Sequence, residues 1–134
     1  IAEMVGHSNS ISSLDLSDNP GISTDSVKAL ARAIVENPTL TELNLSHMSW
    51  DLGALYVLCD AIGTSKTFTE LRLDGIPVCY RGIKLIATAI CQSNTFRRLG
   101  LAKCKLGQPC MRLLTDALER SPHFQALDVS DTTS

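Results

Sequence analysis

No apolar run in these 134 residues approaches the ~20 that a membrane-spanning helix requires. Charge of one sign is missing too. Twelve basic residues against fourteen acidic ones leave a net charge of −2 and a pI near 5.9, which gives no general affinity for nucleic acid or an anionic membrane. Cysteine is present without a pairing pattern. Cys59, Cys79, Cys91, Cys104 and Cys110 form an odd set with no Cys-x-x-Cys, which argues against a disulfide framework. The histidines, His7, His47 and His123, never stand at i, i+4, so no converging metal-ligand set is visible. A Gly-rich phosphate loop is missing, as is any nucleophile with a base in a recognisable motif. The chain reads as non-enzymatic, with no cofactor and no metal.

What is present is repetition. Leu14-Asp15-Leu16-Ser17 returns as Leu43-Asn44-Leu45-Ser46, Leu71-Arg72-Leu73-Asp74, Leu99-Gly100-Leu101-Ala102 and Leu127-Asp128-Val129-Ser130, at a first interval of 29 residues and then three of 28. A fixed period of this size marks a solenoid, whose units bury their apolar faces only by stacking on one another. The first half of each unit reads apolar-x-x-Leu-x-Leu, led by Ile11, Leu40, Phe68, Phe96 and Phe124. Its period-two alternation predicts a short strand with one face buried. The second half has helical spacing: Val27, Leu30 and Ile34, then Leu55, Leu58 and Ile62, then Ile83, Ile86 and Ile90, then Met111, Leu114 and Leu118. Ala33, Ala61, Ala89 and Ala117 precede the last member each time and would let the helix approach its neighbours. Asn37-Pro38, Ser65-Lys66, Ser93-Asn94 and Ser121-Pro122 then break it.

Between strand and helix a further apolar column runs through Ile22, Trp50, Val78 and Leu106, followed four residues on by the small side chains Ser26, Ala54, Gly82 and Cys110. Trp50 is therefore read as core. Strands that each feed a returning helix must be parallel. The expected fold class is α/β: one curved solenoid with about five strands on the concave side and four full helices on the convex side.

The motif Ile11-x-x-Leu14-x-Leu16-x-x-Asn19, its four later copies and the Leu-x-x-Ala-Leu/Ile helix signature resemble the leucine-rich repeat family, specifically its 28-residue, ribonuclease-inhibitor-like class. The resemblance covers essentially the whole chain. It implies an Asn or Cys at the end of each strand motif, satisfying backbone groups in the turn. Here that column reads Asn19, Met48, Ile76, Cys104 and Thr132, so the turns after the second and third strands are expected to differ or to recruit water.

Ile1-Ala2-Glu3-Met4-Val5 aligns with Ile86-Ala87-Thr88-Ala89-Ile90, and the chain stops just after a strand. Residues 1–134 read as a single repeat domain, a fragment of a longer array. Its units span about 11–39, 40–67, 68–95 and 96–123, with partial units at 1–10 and 124–134. Self-association through uncapped ends is an expectation of this reading. Free thiols in repeat columns point to a reducing, cytoplasmic compartment.

Side chains between the strand leucines face solvent on the inner sheet. One column there runs Ser13, Glu42, Glu70, Arg98, Ala126, and the next runs Asp15, Asn44, Arg72, Gly100, Asp128. A third runs Ser17, Ser46, Asp74, Ala102, Ser130. Glu42, Asn44, Glu70, Arg72, Asp74 and Arg98 are the candidate partner-binding residues. Glu70 and Arg98 are expected to pair, and Gly100 with Ala102 is expected to leave a shallow gap beside Arg72. On the outer side Lys28, Tyr56, Lys84 and Arg112 share one helix column, read as a solvated face.

The resemblance implies a non-catalytic protein–protein interaction module of a larger intracellular scaffold, sensor or regulatory protein, with a protein partner and neither nucleic acid nor membrane as ligand. Relatives of this class include ribonuclease inhibitor, sensor regions of NOD-like receptors, actin-regulating scaffolds and ciliary assembly proteins. One alternative is a GTPase-activating protein of the Ran-activator type. Its strand-exit loops would do the work, and here they hold Asp18, His47, Lys103 and Asp131, which form no recognisable catalytic set. The other alternative is a purely structural repeat segment.

Overall fold

The computed structural model of the chain describes residues 12–17, 24–37, 39–47, 52–76 and 78–129. Strand and helix alternate throughout: β1 (Ser13–Asp15), α1 (Thr24–Glu36), β2 (Glu42–Asn44), α2 (Leu52–Thr64), β3 (Glu70–Arg72), α3 (Tyr80–Gln92), β4 (Arg98–Gly100), α4 (Gln108–Glu119) and β5 (Ala126–Asp128). The strands form one parallel sheet in sequence order, β1-β2-β3-β4-β5. Its register follows the repeat: Ser13 pairs with Glu42, Glu42 with Glu70, Glu70 with Arg98 and Arg98 with Ala126. Each helix packs only on its sequence neighbours, α1 on α2, α2 on α3 and α3 on α4. An open sheet in strict order, backed by helices that touch only their neighbours, is the solenoid that the period predicts.

The core is the set of apolar columns read from the sequence. Leu43, Leu71 and Leu99 from the strands, with Leu45, Leu73 and Leu101 two residues on, are buried against the helix faces. Val27, Leu30, Ile34, Leu58, Ile62, Ile83, Ile86 and Ile90 close the same interior from the other side. All four alanines of the helix column are buried. Phe68 and Phe96 are fully enclosed, with ring centroids 6.2 Å apart, and Phe124 meets Phe96 edge-on at 5.6 Å. Burial of one such ring stabilises by roughly 1.5–3 kcal/mol. In the intermediate apolar column Leu106 is buried and Val78 half-buried. Ile22 and Trp50, like Ile11, Met48, Asn19, Thr132, His7, Asp18 and Asp131, lie outside the described residues.

Each helix exit is closed by a buried polar residue. The amides of Asn37, Ser65 and Ser93 donate to the carbonyls of Ala33, Ala61 and Ala89 at 2.8, 2.8 and 3.0 Å. The Ser65 hydroxyl then accepts from the Thr67 and Phe68 amides, and the Ser93 hydroxyl from the Thr95 and Phe96 amides at 3.1 and 2.9 Å. Asn37 does the same for Thr39 through its carbonyl oxygen, while the Ser121 hydroxyl donates back to the Ile90 carbonyl at 3.2 Å. The column that reads in sequence as helix-breaking polarity is thus a stack of sealed turns beneath the phenylalanines. No helix among the described residues is long and apolar enough to cross a membrane.

Candidate functional site

The sheet's solvent side carries the polar residues of each three-residue strand, and the parallel register turns them into rows across the strands. The central leucines Leu43, Leu71 and Leu99 point inward and are buried, so the flanking side chains point out. Among the six candidates, two ion pairs form. Arg98 Nη1 lies 3.6 Å from Glu70 Oε1, the lateral pair expected from the register. Arg72 donates to Asp74 Oδ2 from both Nε and Nη2, at 3.1 and 2.7 Å.

Arg72 then reaches further than the sequence suggested. Its Nη2 also stands 3.5 Å from Asp128 Oδ2, two strands away. It crosses β4 at Gly100, the one row position with no side chain. A Cβ on Gly100 would stand 3.1 Å from Arg72 Cζ and 2.9 Å from Asp74 Oδ1. The gap expected beside Arg72 is therefore a correction: Gly100 is buried, and the guanidinium with the Asp74 carboxylate fills the space over it. The sequence held a hint of this, though not the contact itself. A glycine between an arginine and an aspartate in one row invites the two charges to meet above it. The Asp74 hydrogen bond is the main reason the Arg72 guanidinium is held even more firmly protonated than usual. Burial, the second-largest effect, opposes it, and the charges of Asp74, Asp128 and Glu70 add in the raising direction.

Asp74 also ties neighbouring repeats together. Its Oδ1 accepts the Ala102 amide at 2.9 Å, and its own amide donates to the Ser46 hydroxyl at 3.0 Å. Asn44 is occupied locally, its Oδ1 accepting the Ser46 amide at 3.0 Å. Asp15 does the same for Ser17, and those bonds lower its pKa. Glu42 is half-buried and forms no ion pair among the described residues.

The strand-exit turns contain a column that the sequence reading missed. His47, Gly75 and Lys103 stand 28 residues apart and all adopt left-handed backbone, with φ of 61°, 75° and 61°. Gly75 was the visible hint, since glycine enters this region without strain. A Cβ at Gly75 would also meet the His47 imidazole, which would have to move aside. His47 and Lys103 are thus accounted for by turn geometry. Cys104 behaves as its column implies, its thiol donating to the Leu73 carbonyl at 3.1 Å. Burial is the main cause of its raised pKa. In the turn before, the buried Ile76 cannot do this, and its own amide bonds the Leu73 carbonyl at 3.3 Å. The turn after the third strand thus differs, by backbone self-satisfaction, while Met48 in the turn after the second lies outside the described residues. Among the described residues no group of His, Cys, Asp or Glu is disposed to hold a metal ion.

A family model described as Leucine Rich repeat matches residues 7–31 and 36–47. Its match falls on the first repeats, and the sheet register carries the same unit through to β5. The chain has the fold of a leucine-rich repeat solenoid. A solved structure of leiomodin-1 actin-binding site 2 superposes on it with a TM-score of 0.84, covering 96% of this chain and 76% of that one at 18% identity. The tropomodulin C-terminal domain of Caenorhabditis elegans gives a TM-score of 0.83, covering 96% of this chain and 80% of that one at 10% identity. At such identities the likeness is one of fold. No curated protein sequence matches the chain significantly.

Proposed function

We propose that this solenoid is a non-catalytic protein-interaction module that docks a polar protein surface on its concave sheet. The observation that carries this reading is the braced charge set over β3, β4 and β5. Arg72 is fixed between Asp74 and Asp128, and Arg98 stands beside Glu70 at 58% side-chain exposure. Exposed ion pairs of this kind contribute only about 0–1 kcal/mol to a fold. They do hold charges in fixed positions before a partner arrives, which lowers the ordering cost of binding. Glu42, Asn44, Glu70, Arg72, Asp74 and Arg98, joined by Asp128, are the proposed contact residues.

Actin is the first partner to test, because one of the solved structures that share this fold is an actin-binding site. The experiment is co-sedimentation with filamentous actin and pull-down of other partners, using wild type and the Arg72→Glu/Arg98→Glu variant with its fold checked by circular dichroism. Loss of binding in the variant is expected. Unchanged binding sinks the concave assignment, and absence of actin binding with an intact pull-down set moves the proposal to another protein. The reading extends to the 28-residue, ribonuclease-inhibitor-like class, to a single domain within a longer array, and to a reducing intracellular setting. Free cysteines, with Cys59, Cys104 and Cys110 buried as lone thiols, support the last.

A further inference from the structure

The opposite, convex face carries a patch that concave docking does not use. Four large apolar side chains are exposed among the described residues, and three of them stand on the adjacent helices α2 and α3: Leu52 at 37%, Tyr56 at 59% and Tyr80 at 47%. Leu52 and Tyr56 are one turn apart on α2, and Tyr80 opens α3 one repeat step after Leu52. A Cβ built on Gly82 of α3 would stand 3.8 Å from Leu52 Cδ1. Tyr56 lines the groove between the two helices, about 150 Å³ in volume. On the far side of α3 a second groove of about 420 Å³ begins at Lys84.

Three exposed cations stand on α3 and the next helix, Arg81 and Lys84 on α3 and Arg112 on α4, and none forms an ion pair with a described residue. Of the acids, Asp60 lines the first groove and Asp116 the second, one helical turn from Arg112. The first turns of α2, α3 and α4 contain no acid, although acids are what the positive end of a helix favours. A merely solvated helix face would need no cluster of leucine and tyrosine, and tyrosine and arginine are the side chains that dominate protein-binding hot spots.

We propose that this convex patch docks an acidic amphipathic segment of a protein partner, its apolar side chains on Leu52, Tyr56 and Tyr80 and its carboxylates on Arg81, Lys84 and Arg112. Charge complementarity selects this occupant. A second copy of the chain in a two-fold contact would set the same cations against one another. A flat anionic membrane would press phosphates onto Asp60 and Asp116, which line the two grooves, whereas a peptide can place a hydroxyl or a cation there.

The test uses three synthetic helical peptides: one with leucine and phenylalanine on one face and glutamate on the other, one with every glutamate replaced by lysine, and one with the apolar face replaced by serine. Binding to the full chain is measured by fluorescence anisotropy and mapped by NMR shift perturbation. The acidic amphipathic peptide is expected to bind at least about tenfold tighter than either control, with shifts on α2 and α3. Tyr56→Ser/Tyr80→Ser and Arg81→Glu/Lys84→Glu should each weaken it at least about tenfold, while Arg72→Glu/Arg98→Glu leaves it unchanged, which separates this site from the concave one. The proposal is overturned by equal affinity for the three peptides, by shifts confined to the sheet, or by capture on phosphatidylserine vesicles in place of the peptide. If a double variant loses its fold, Tyr56→Ser alone gives the same reading.

Discussion

Where each helix hands over to the next strand, the column Asn37, Ser65, Ser93, Ser121 is polar, compact and 1–5% exposed in every repeat. Where each strand hands over to the next helix, the equivalent column runs Ser17, Ser46, Asp74, Ala102 and changes chemistry at almost every step, with only Ser46 buried. The contrast has one physical cause. Buried polar groups need partners, so the interior end keeps a small oxygen-bearing side chain each time: Asn37, Ser65 and Ser93 accept from following amides, and Ser121 donates to the Ile90 carbonyl. A half-exposed turn can use water, so its side chains are free to differ and to serve something outside the fold. Uniformity within the chain marks the buried architecture here, and variation marks the surface open to solvent.

Ways to break this comparison run from the interior outward. Phe96→Ala removes the ring that both neighbouring phenylalanines touch and should cost about 3–5 kcal/mol in denaturant unfolding. A loss under 1 kcal/mol would mean that the stack is looser than its burial implies. Ser93→Ala orphans two amides, one of them the buried Phe96 amide, and should cost about 1–3 kcal/mol. Asp74→Asn, on the variable side, should cost less, and a reversed order would undo the distinction between the two columns.

Gly75→Ala tests the left-handed column. The strain of placing a side chain at φ 75° is roughly 1–2 kcal/mol, and the His47 ring must also move. His47→Ala combined with it should recover part of the loss, whereas full additivity would show that the ring and the glycine do not communicate. The buried interior also has a pH signature. Burial pushes the Cys59 thiol up to about 12 from 9.0. Because the folded state favours the neutral thiol, its contribution is complete below about pH 9 and is lost as pH climbs toward about 12. Cys59→Ala should therefore flatten the alkaline stability profile by up to about 1 kcal/mol per pH unit. Equal slopes would place Cys59 in contact with water. The smallest effect belongs to Arg98→Ala, at about 0–1 kcal/mol on stability, because its pair with Glu70 is largely in solvent.

The strands, helices and their register were legible because period-two and 3.6-residue apolar spacings each repeat five or four times, and every copy reports on the others. The Glu70–Arg98 pair followed from that register alone. The Arg72–Asp128 contact did not, since it spans two strands and depends on how a long side chain lies over Gly100. The convex ridge was visible as a column of Lys28, Tyr56, Lys84 and Arg112, but its meaning changed once Leu52 and Tyr80 proved to be exposed beside it.

By itself the order of residues determined the solenoid, its parallel sheet and its shared interior, because burial of regularly spaced apolar side chains admits one stacking that satisfies every repeat at once. Only the folded arrangement decided which charges join, which turn residues take left-handed backbone and which apolar side chains stay in water. Those outcomes depend on distances between repeats and on the reach of individual side chains, neither of which a linear spacing encodes.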